Sequence, residues 1–227
     1  MDNSRTARLL ALDIRERLPN GGLLCLTGLG ASGKSTFARE LVEALGPEEA
    51  AKYRFDDLYW DTEQRRKTKG TDGEDITGCH PLSVYDPLAR KVLEDLKKRL
   101  DVPVFSTKND QLVHWPVGTY ENRRFNIVDG LAAALGGRER LYDLLIFMDC
   151  DLQTEEKRRF SRDVNARKKK PKDVKEIFLK RRAQYEKYVL PIKDQADFIL
   201  TSSPNYKVEL LPASAKKQGP ETPSSPR

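Results

Sequence analysis

The stretch that most constrains this 227-residue chain is residues 23–45, where an apolar run, a glycine-rich turn and an amphipathic segment follow one another without a gap. The run LLCLT (23–27) lacks the polar alternation of a strand with one wet face. It reads as a strand buried on both faces, the kind a parallel sheet contains. Residues 28–35, GLGASGKS, meet the pattern G-x-x-x-x-G-K-[ST] in full. KSTFARELVEAL (34–45) has helical spacing and stops at Gly46-Pro47.

A loop of this pattern wraps a polyphosphate with backbone N–H groups. Glycine is needed where the chain turns left-handed or approaches an oxygen closely. The helix that starts there aims its positive end at the anion. Gly28, Gly30, Ala31, Ser32 and Gly33 are therefore candidate nucleotide-binding backbone. Lys34 would reach the β- and γ-phosphates, the Ser35 hydroxyl would ligate Mg²⁺, and Thr36 is counted with the loop where the helix begins. The expected ligands are ATP and Mg²⁺. The pattern alone specifies a nucleoside triphosphate, which hydrolases and kinases of many kinds share.

The rest of the chain alternates strand and helix signals. Residues 4–18 read as an amphipathic helix capped by Ser4 or Thr6. KYRFDD (52–57) reads as a second strand, expected beside the first, and 61–80 as a polar, mobile loop. A helix is expected over 87–100, a short strand over 102–106, and a hairpin around His114-Trp115-Pro116. Buried strands follow at 124–130 and 144–151, helices at 154–168 and 173–189, and a last strand at 197–200. This order predicts an α/β fold, a parallel sheet with helices on both faces. One domain is expected over 1–200, with a small helical lid at about 154–172. The Pro/Ser/Lys-rich stretch 201–227 reads as a disordered tail.

Hydrophobic residues make up 38% and charged residues 33%, which excludes a wholly disordered chain, and the net charge is +6. That charge suits either nucleic acid or a polyphosphate anion. Much of it lies in one segment, at Arg158, Arg159, Arg162, Arg167, Lys168, Lys169 and Lys170, with Phe160 the lone aromatic among them. The scarcity of stacking rings argues against nucleic acid. The alternative is a lid whose arginines close over the γ-phosphate and exclude water. Cys25, Cys79 and Cys150 have no metal-ligand or disulfide spacing, and His80 and His114 are the only histidines, so zinc is not expected. A charged N-terminal segment and no apolar stretch of spanning length predict a cytoplasmic protein with no membrane partner.

Ligands of parallel α/β sheets lie at the carboxyl ends of the strands. Three acidic sites fall there: Asp56-Asp57, Asp129, and Asp149 with Asp151. Phosphoryl transfer needs a carboxylate to orient or accept a hydroxyl proton and another to hold Mg²⁺. Asp56 is the candidate base. Pattern alone leaves Asp129 and Asp149 level for the metal, and capping of the following helix explains either.

Together these features resemble the uridine kinase / phosphoribulokinase family of P-loop small-molecule kinases, over residues 23–200. FDDLY (55–59) is similar to the family's D-S-F-Y segment, which implies Asp56 as base and Tyr59 in the acceptor pocket. His80-Pro81 with Tyr85-Asp86 resembles D-H-P-x-A-F-D, and VPVF (102–105) resembles V-P-x-Y-D, which places His80 and Phe105 with the acceptor. Val128-Asp129-Gly130 stands where the family has an acid-glycine pair serving Mg²⁺, favouring Asp129. Arg159, Arg162, Asp163 and Arg167 match the R-x-x-R-D-x-x-x-R lid, whose arginines bind ATP and acceptor. Tyr188-Val189-Leu190-Pro191 and Ala196-Asp197-Phe198-Ile199 resemble the family's closing segments.

The resemblance implies a Mg·ATP-dependent phosphotransferase with Asp56, Lys34 and Arg162 catalytic. The small-molecule acceptor is first expected to be a nucleoside, with nicotinamide riboside, pantothenate or a sugar acid as alternatives, and the family includes homo-oligomers. Two positions depart from the pattern. Cys79 replaces the aspartate that grips ribose in uridine kinases, and Phe105-Ser106 replaces a Tyr-Asp pair. Asp75, Asp86 and Asp110 are candidates to replace that grip. The rival readings are a non-catalytic ATP-binding regulatory module and a nucleic-acid-associated NTPase.

Overall fold

Residues 3–108, 111–112, 116–166, 168 and 170–211 are described by a computed structural model of the chain. In chain order the elements are α1 (Ser4–Arg17), β1 (Gly22–Gly28), α2 (Lys34–Leu45), β2 (Ala50–Arg54), α3 (Thr62–Lys67), α4 (Asp86–Lys97) and β3 (Val102–Val104). They continue with β4 (Thr107–Lys108), β5 (Gln111–Leu112), β6 (Gly118–Tyr120), β7 (Phe125–Asp129), β8 (Leu144–Asp149), α5 (Leu152–Phe160), α6 (Pro171–Gln184), β9 (Phe198–Ser202) and β10 (Val208–Leu211).

Six strands form one sheet in the order β10-β9-β8-β1-β7-β2. All neighbours are parallel except β10, which runs antiparallel to β9. The apolar run 23–27 lies at the centre of this sheet, between β8 and β7. Its residues alternate between two cores. Leu23 and Cys25 face one side with Val128, Leu145, Phe147 and α4, while Leu24 and Leu26 face the other with Ile127, Ile146 and the inner faces of α1 and α2. A strand with no wet face must be apolar at every position, so the unbroken run and the two-sided core are one fact.

Four expectations need correction. β2 is not the neighbour of β1, because β7 lies between them and Asp129 pairs in register with both Leu26 and Arg54. The second strand ends at Arg54, and Asp56 and Asp57 sit in a 3₁₀ turn beyond it. The 61–80 segment is not all loop, since Asp61 caps α3 by accepting from the Gln64 N–H at 2.7 Å. Order does not stop at 200. Asn3 of the N-terminal segment accepts from the Val208 N–H and donates to the Tyr206 carbonyl, and the Thr6 hydroxyl donates to the Val208 carbonyl. These bonds hold β10 on the sheet edge.

Strand β3 forms in place but pairs with β6 in a separate two-stranded ribbon. The hairpin expected at His114-Trp115, together with Asp110, Arg167, Lys169 and the tail from 212 onward, lies outside the described residues. No helix among the described residues is long and apolar enough to cross a membrane.

Candidate active site

At the carboxyl end of the sheet is a cavity of about 550 Å³, lined by the phosphate loop, the 55–60 turn, residues 78–79, the Asp129-Gly130-Leu131 corner, α5 and its extension, and Arg181 and Tyr206. The loop takes the left-handed angles that its glycines permit, with φ of 117° at Gly28 and 102° at Gly33. Ala31 shares that region at 68°. A Cβ on Gly28 would sit 2.2 Å from the Met148 carbonyl oxygen of the adjoining strand, so a side chain is excluded there on two counts. Gly30, Ala31, Gly33, Lys34, Ser35 and Thr36 line the cavity, while Gly28 and the wholly buried Ser32 stand behind it. The Ser32 hydroxyl donates to the Leu29 carbonyl at 2.8 Å and pins the loop to itself.

Lys34 is 8% exposed and its Nζ donates to the carbonyls of Gly28 (3.2 Å) and Leu29 (2.6 Å). Burial lowers its pKa, while Asp129 and Asp56 work to keep it charged. A desolvated ammonium parked on its own loop is a group poised for a polyphosphate oxygen.

Asp56 is half-buried, and its Oδ1 is enclosed with no hydrogen-bond partner among the described residues. Burial, then the nearby charge of Asp129, raises its pKa, with Lys34 opposing. Oδ1 lies 3.2 Å from where a Cβ of Gly130 would be, and the Phe55 Cβ lies 2.7 Å from it, so glycine after Asp129 lets the two strand ends close up. Asp129 is 4% exposed, with the Lys52 ammonium 3.6 Å away. Asp149 is elsewhere. It accepts from the Tyr185 hydroxyl at 3.2 Å and from Lys193 at 2.9 Å, and it does not line the cavity.

Helix α5 is capped by Asp151 and brings Arg158 and Arg159 to the cavity; a π-helical turn over 161–166 then places Arg162 there. Widened turns of this kind recur at functional sites. Arg159 is 4% exposed and pairs with Glu155 at 2.7 Å, and its Nη2 lies 2.3 Å from where a Cβ of Gly30 would be. Arg162 donates to Asp163 at 2.9 Å. Arg158 donates to Ser202 and to the loop carbonyls of Ala31 and Ser32, and its guanidinium stacks 3.8 Å from the ring centroid of Tyr206.

Tyr59 also lines the cavity, and its hydroxyl donates to the Gly78 carbonyl at 2.9 Å. Of the other three residues expected with the acceptor, Arg159 lines it as well, while His80 and Phe105 do not. Phe105 belongs to the hydrophobic core. His80 accepts the Leu82 N–H on Nδ1, packs edge-on to Tyr188 at 4.7 Å and lies 3.5 Å from the Glu74 carboxylate, away from the cavity. Sequence reasoning missed Trp60, Arg65, Arg181 and Tyr206. Trp60 and Arg65 follow Tyr59 closely enough to have been suspected. Arg181 sits in an ordinary basic helix and Tyr206 in the stretch read as a tail, so neither carried a signal.

Among the described residues no cluster of three His, Cys, Asp or Glu side chains could hold a metal by protein ligands alone. Mg²⁺ needs only one or two protein oxygens and completes its shell with phosphates and water. The exposed Ser35 hydroxyl and the Asp129 carboxylate are hard oxygen donors on the same cavity.

The model of the phosphoribulokinase / uridine kinase family matches residues 23–209. The uridine kinase of Pectobacterium carotovorum is 29% identical over 195 residues, spanning 78% of this chain and 85% of that one. Uridine-cytidine kinase 2-B of Danio rerio is 24% identical over 209 residues, spanning 82% and 77%. Among solved structures, D-glycerate 3-kinase from Cryptococcus neoformans superposes with a TM-score of 0.67 at 12% identity, over 93% of this chain and 100% of that one. Phosphoribulokinase from Rhodobacter spheroides does so with a TM-score of 0.55 at 15% identity, over 82% and 74%. At such identities the structures speak to the fold, and the fold agrees. A family match over most of the chain, on this sheet order and around this phosphate loop, makes the chain a member of the phosphoribulokinase / uridine kinase family and an ATP-dependent small-molecule kinase.

Proposed function

We propose that the protein transfers the γ-phosphoryl group of Mg·ATP to a hydroxyl of a small metabolite, giving ADP and a phosphate ester. The observation that carries the reading is Asp56: an enclosed, unpartnered carboxylate oxygen with a raised pKa, on the same cavity as the phosphate loop. A carboxylate whose pKa is raised by burial takes a hydroxyl proton more readily than an ordinary surface aspartate. Asp56 receives that proton as the acceptor oxygen attacks phosphorus and the β–γ bridging oxygen leaves with ADP.

The loop N–H groups bind the triphosphate, and Lys34 exchanges its two loop carbonyls for phosphate oxygens. Arg159 and Arg162 lie where charge develops on the transferring group, and Arg167 would extend this set. Ser35 and Asp129 would hold Mg²⁺, which when bound neutralises phosphate charge and aligns the transfer. The exposed ring of Tyr206, backed by Arg158, offers a face for the purine beside the loop. The protein's three free thiols are all buried, which suits a reducing, cytoplasmic setting.

The names of the relatives favour a nucleoside acceptor. The residues of this cavity around Cys79 and Arg181 favour an anionic one. An ATP-consumption assay over nucleosides, vitamins, sugar acids and sugar phosphates tests the kinase reading. Turnover should rise with at least one acceptor and fall by two or more orders of magnitude in Asp56→Asn. Hydrolysis that no acceptor stimulates would favour a nucleotide-binding regulatory module.

A further inference from the structure

The cavity is lined by five arginines and Lys34 against two carboxylates, Asp56 and Asp129. Arg158, Arg159, Arg162 and Lys34 touch the phosphate loop or belong to α5 and its extension, and they suffice for the triphosphate. Arg65 and Arg181 remain. They belong to a second group of lining residues, with Tyr59, Trp60, Gly78 and Cys79, that contact one another. Arg181 Nη2 lies 3.8 Å from where a Cβ of Gly78 would be, the Tyr59 hydroxyl bonds Gly78, and the Arg65 guanidinium lies 5.7 Å from the Tyr59 ring centroid.

Arg181 is the anomaly. Among the described residues its buried Nε makes no hydrogen bond; the Nε atoms of Arg138 and Arg158 share that state, but their terminal nitrogens are hydrogen-bonded. The next residue, Arg182, is fully supplied, by Glu155 at 3.0 Å and Glu186 at 2.8 Å. The acids that could stand in for the missing aspartate, Asp75 and Asp86, are committed to other cations, and so is Glu74 beside Asp75. Asp75 holds Lys69 and Lys180, and Glu74 takes Gln184, Lys187 and Tyr188. Asp86 pairs with Arg90 and Arg138. None of these three lines the cavity, so none of them supplies a carboxylate where Cys79 stands.

Polarity at this end runs one way. Trp60, Arg65 and Arg181 are donors, one of the two lone pairs of the Gly78 carbonyl is taken by Tyr59, and burial keeps the Cys79 thiol protonated. Among the described residues there, Asp56 is the one carboxylate, and the Tyr59 hydroxyl oxygen is a weaker, neutral acceptor. A neutral polyol or ribose must donate its hydroxyl protons, and it would leave some unpaired against such a wall, which a buried site rejects strongly. A carboxylate or phosphate brings only acceptors and fits a guanidinium fork.

We infer that the acceptor is an anion, a small hydroxylated metabolite whose carboxylate or phosphate group is bound by Arg181 with help from Arg65. This rests on the kinase reading above, and it selects among the acceptors that reading allows.

The test uses the full chain with Mg²⁺ and a non-hydrolysable ATP analogue, titrated calorimetrically with matched pairs: gluconate and glucose, pantothenate and pantothenol, ribose 5-phosphate and ribose, with uridine beside them. The anionic member of at least one pair should bind and its neutral partner should not. Which pair binds separates carboxylate from phosphate. In Arg181→Gln that binding should weaken roughly ten- to a hundredfold, and Arg181→Lys should restore part of it. With ATP, the acceptor KM should rise in Arg181→Gln far more than kcat falls, which a merely structural defect would not produce. Binding of uridine or a neutral member in preference to every anion overturns the inference. So does anion binding that ignores Arg181→Gln, and so does a panel in which nothing binds. Anion binding through Arg181 with no phosphoryl transfer to the bound anion would leave the anion site standing and overturn the kinase reading instead.

Discussion

Replacing Asp56 by Asn should weaken the enzyme and strengthen the fold, and the two effects share a cause. The Asp56 carboxylate is held in an enclosed place near another carboxylate, with Oδ1 unpartnered. Desolvation and Asp129 both disfavour its charged form, and Lys34 compensates only in part. Its folded pKa therefore lies above the unfolded value. Between those two values the folded chain holds more protons than the unfolded one, so stability declines as pH rises through that interval and stays reduced above it. Asn has nearly the same shape and no charge. Removing the ionised, unsatisfied group should stabilise the protein on the order of 1 kcal/mol at neutral pH. For a chain of this size that is a rise of about 2–4 °C in Tm. Lys34 loses one attraction but keeps Asp129 and two loop carbonyls, so the net sign holds. Activity should fall by about 10²–10⁴ as the proton acceptor is lost. The assay is a pair of thermal melts across pH 4–8 alongside steady-state kinetics. The Tm advantage of Asp56→Asn should shrink toward acid pH, and the acid limb of the parent's kcat profile should lie above the ordinary carboxylate range. An Asp56→Asn protein less stable than its parent at neutral pH, or one within tenfold of its activity, would refute the reasoning.

Asp129→Asn should raise the Mg²⁺ concentration needed for half-maximal activity by roughly tenfold or more. Asp149→Asn should leave Mg²⁺ dependence alone and cost about 1 kcal/mol in chemical denaturation through the lost Lys193 pair. Gly28→Ala, with its Cβ against the Met148 carbonyl and φ of 117°, should destabilise by about 2–4 kcal/mol in the same assay. Gly73→Ala, also at positive φ but facing open space, should cost only about 1 kcal/mol. Asn3→Ala strips a buried N–H of Val208 of its acceptor and should cost about 1–2 kcal/mol. A neutral result would mean that β10 does not depend on the N-terminal segment.

The phosphate loop was legible because its function forces its sequence. Backbone that wraps an anion needs glycine at particular spacings, and local angles are written locally. The central strand was legible because burial on both faces leaves no polar position to confuse it. The pairing of Asp56 with Asp129 was legible only in part. Both were recognised at strand ends, but β2 was expected beside β1, and the intervening β7 arrives from seventy residues later in the chain. Tail residues 201–211 were misread because their order comes from Asn3 and Thr6, two hundred residues away, and not from their own composition. His80 and Phe105 were misassigned for a related reason. A segment similar to a binding motif says which residues are near a site, and packing decides which of them face it.

By itself, then, the sequence determined the donor half of this protein: a buried parallel strand, a polyphosphate loop, a helix to follow, and acids and arginines in the order that phosphoryl transfer uses. Those features depend on neighbours a few residues apart, so they survive without a fold. Only the tertiary structure decided which residues share the cavity with that loop. It put Asp129, and not Asp149, on the cavity, withdrew His80 and Phe105, and brought Trp60, Arg65, Cys79 and Arg181 to one wall. It also left Arg181 without the acid its neighbour has. Whether a charge is satisfied is a property of everything that surrounds it, and those surroundings are assembled from segments that only the fold brings together.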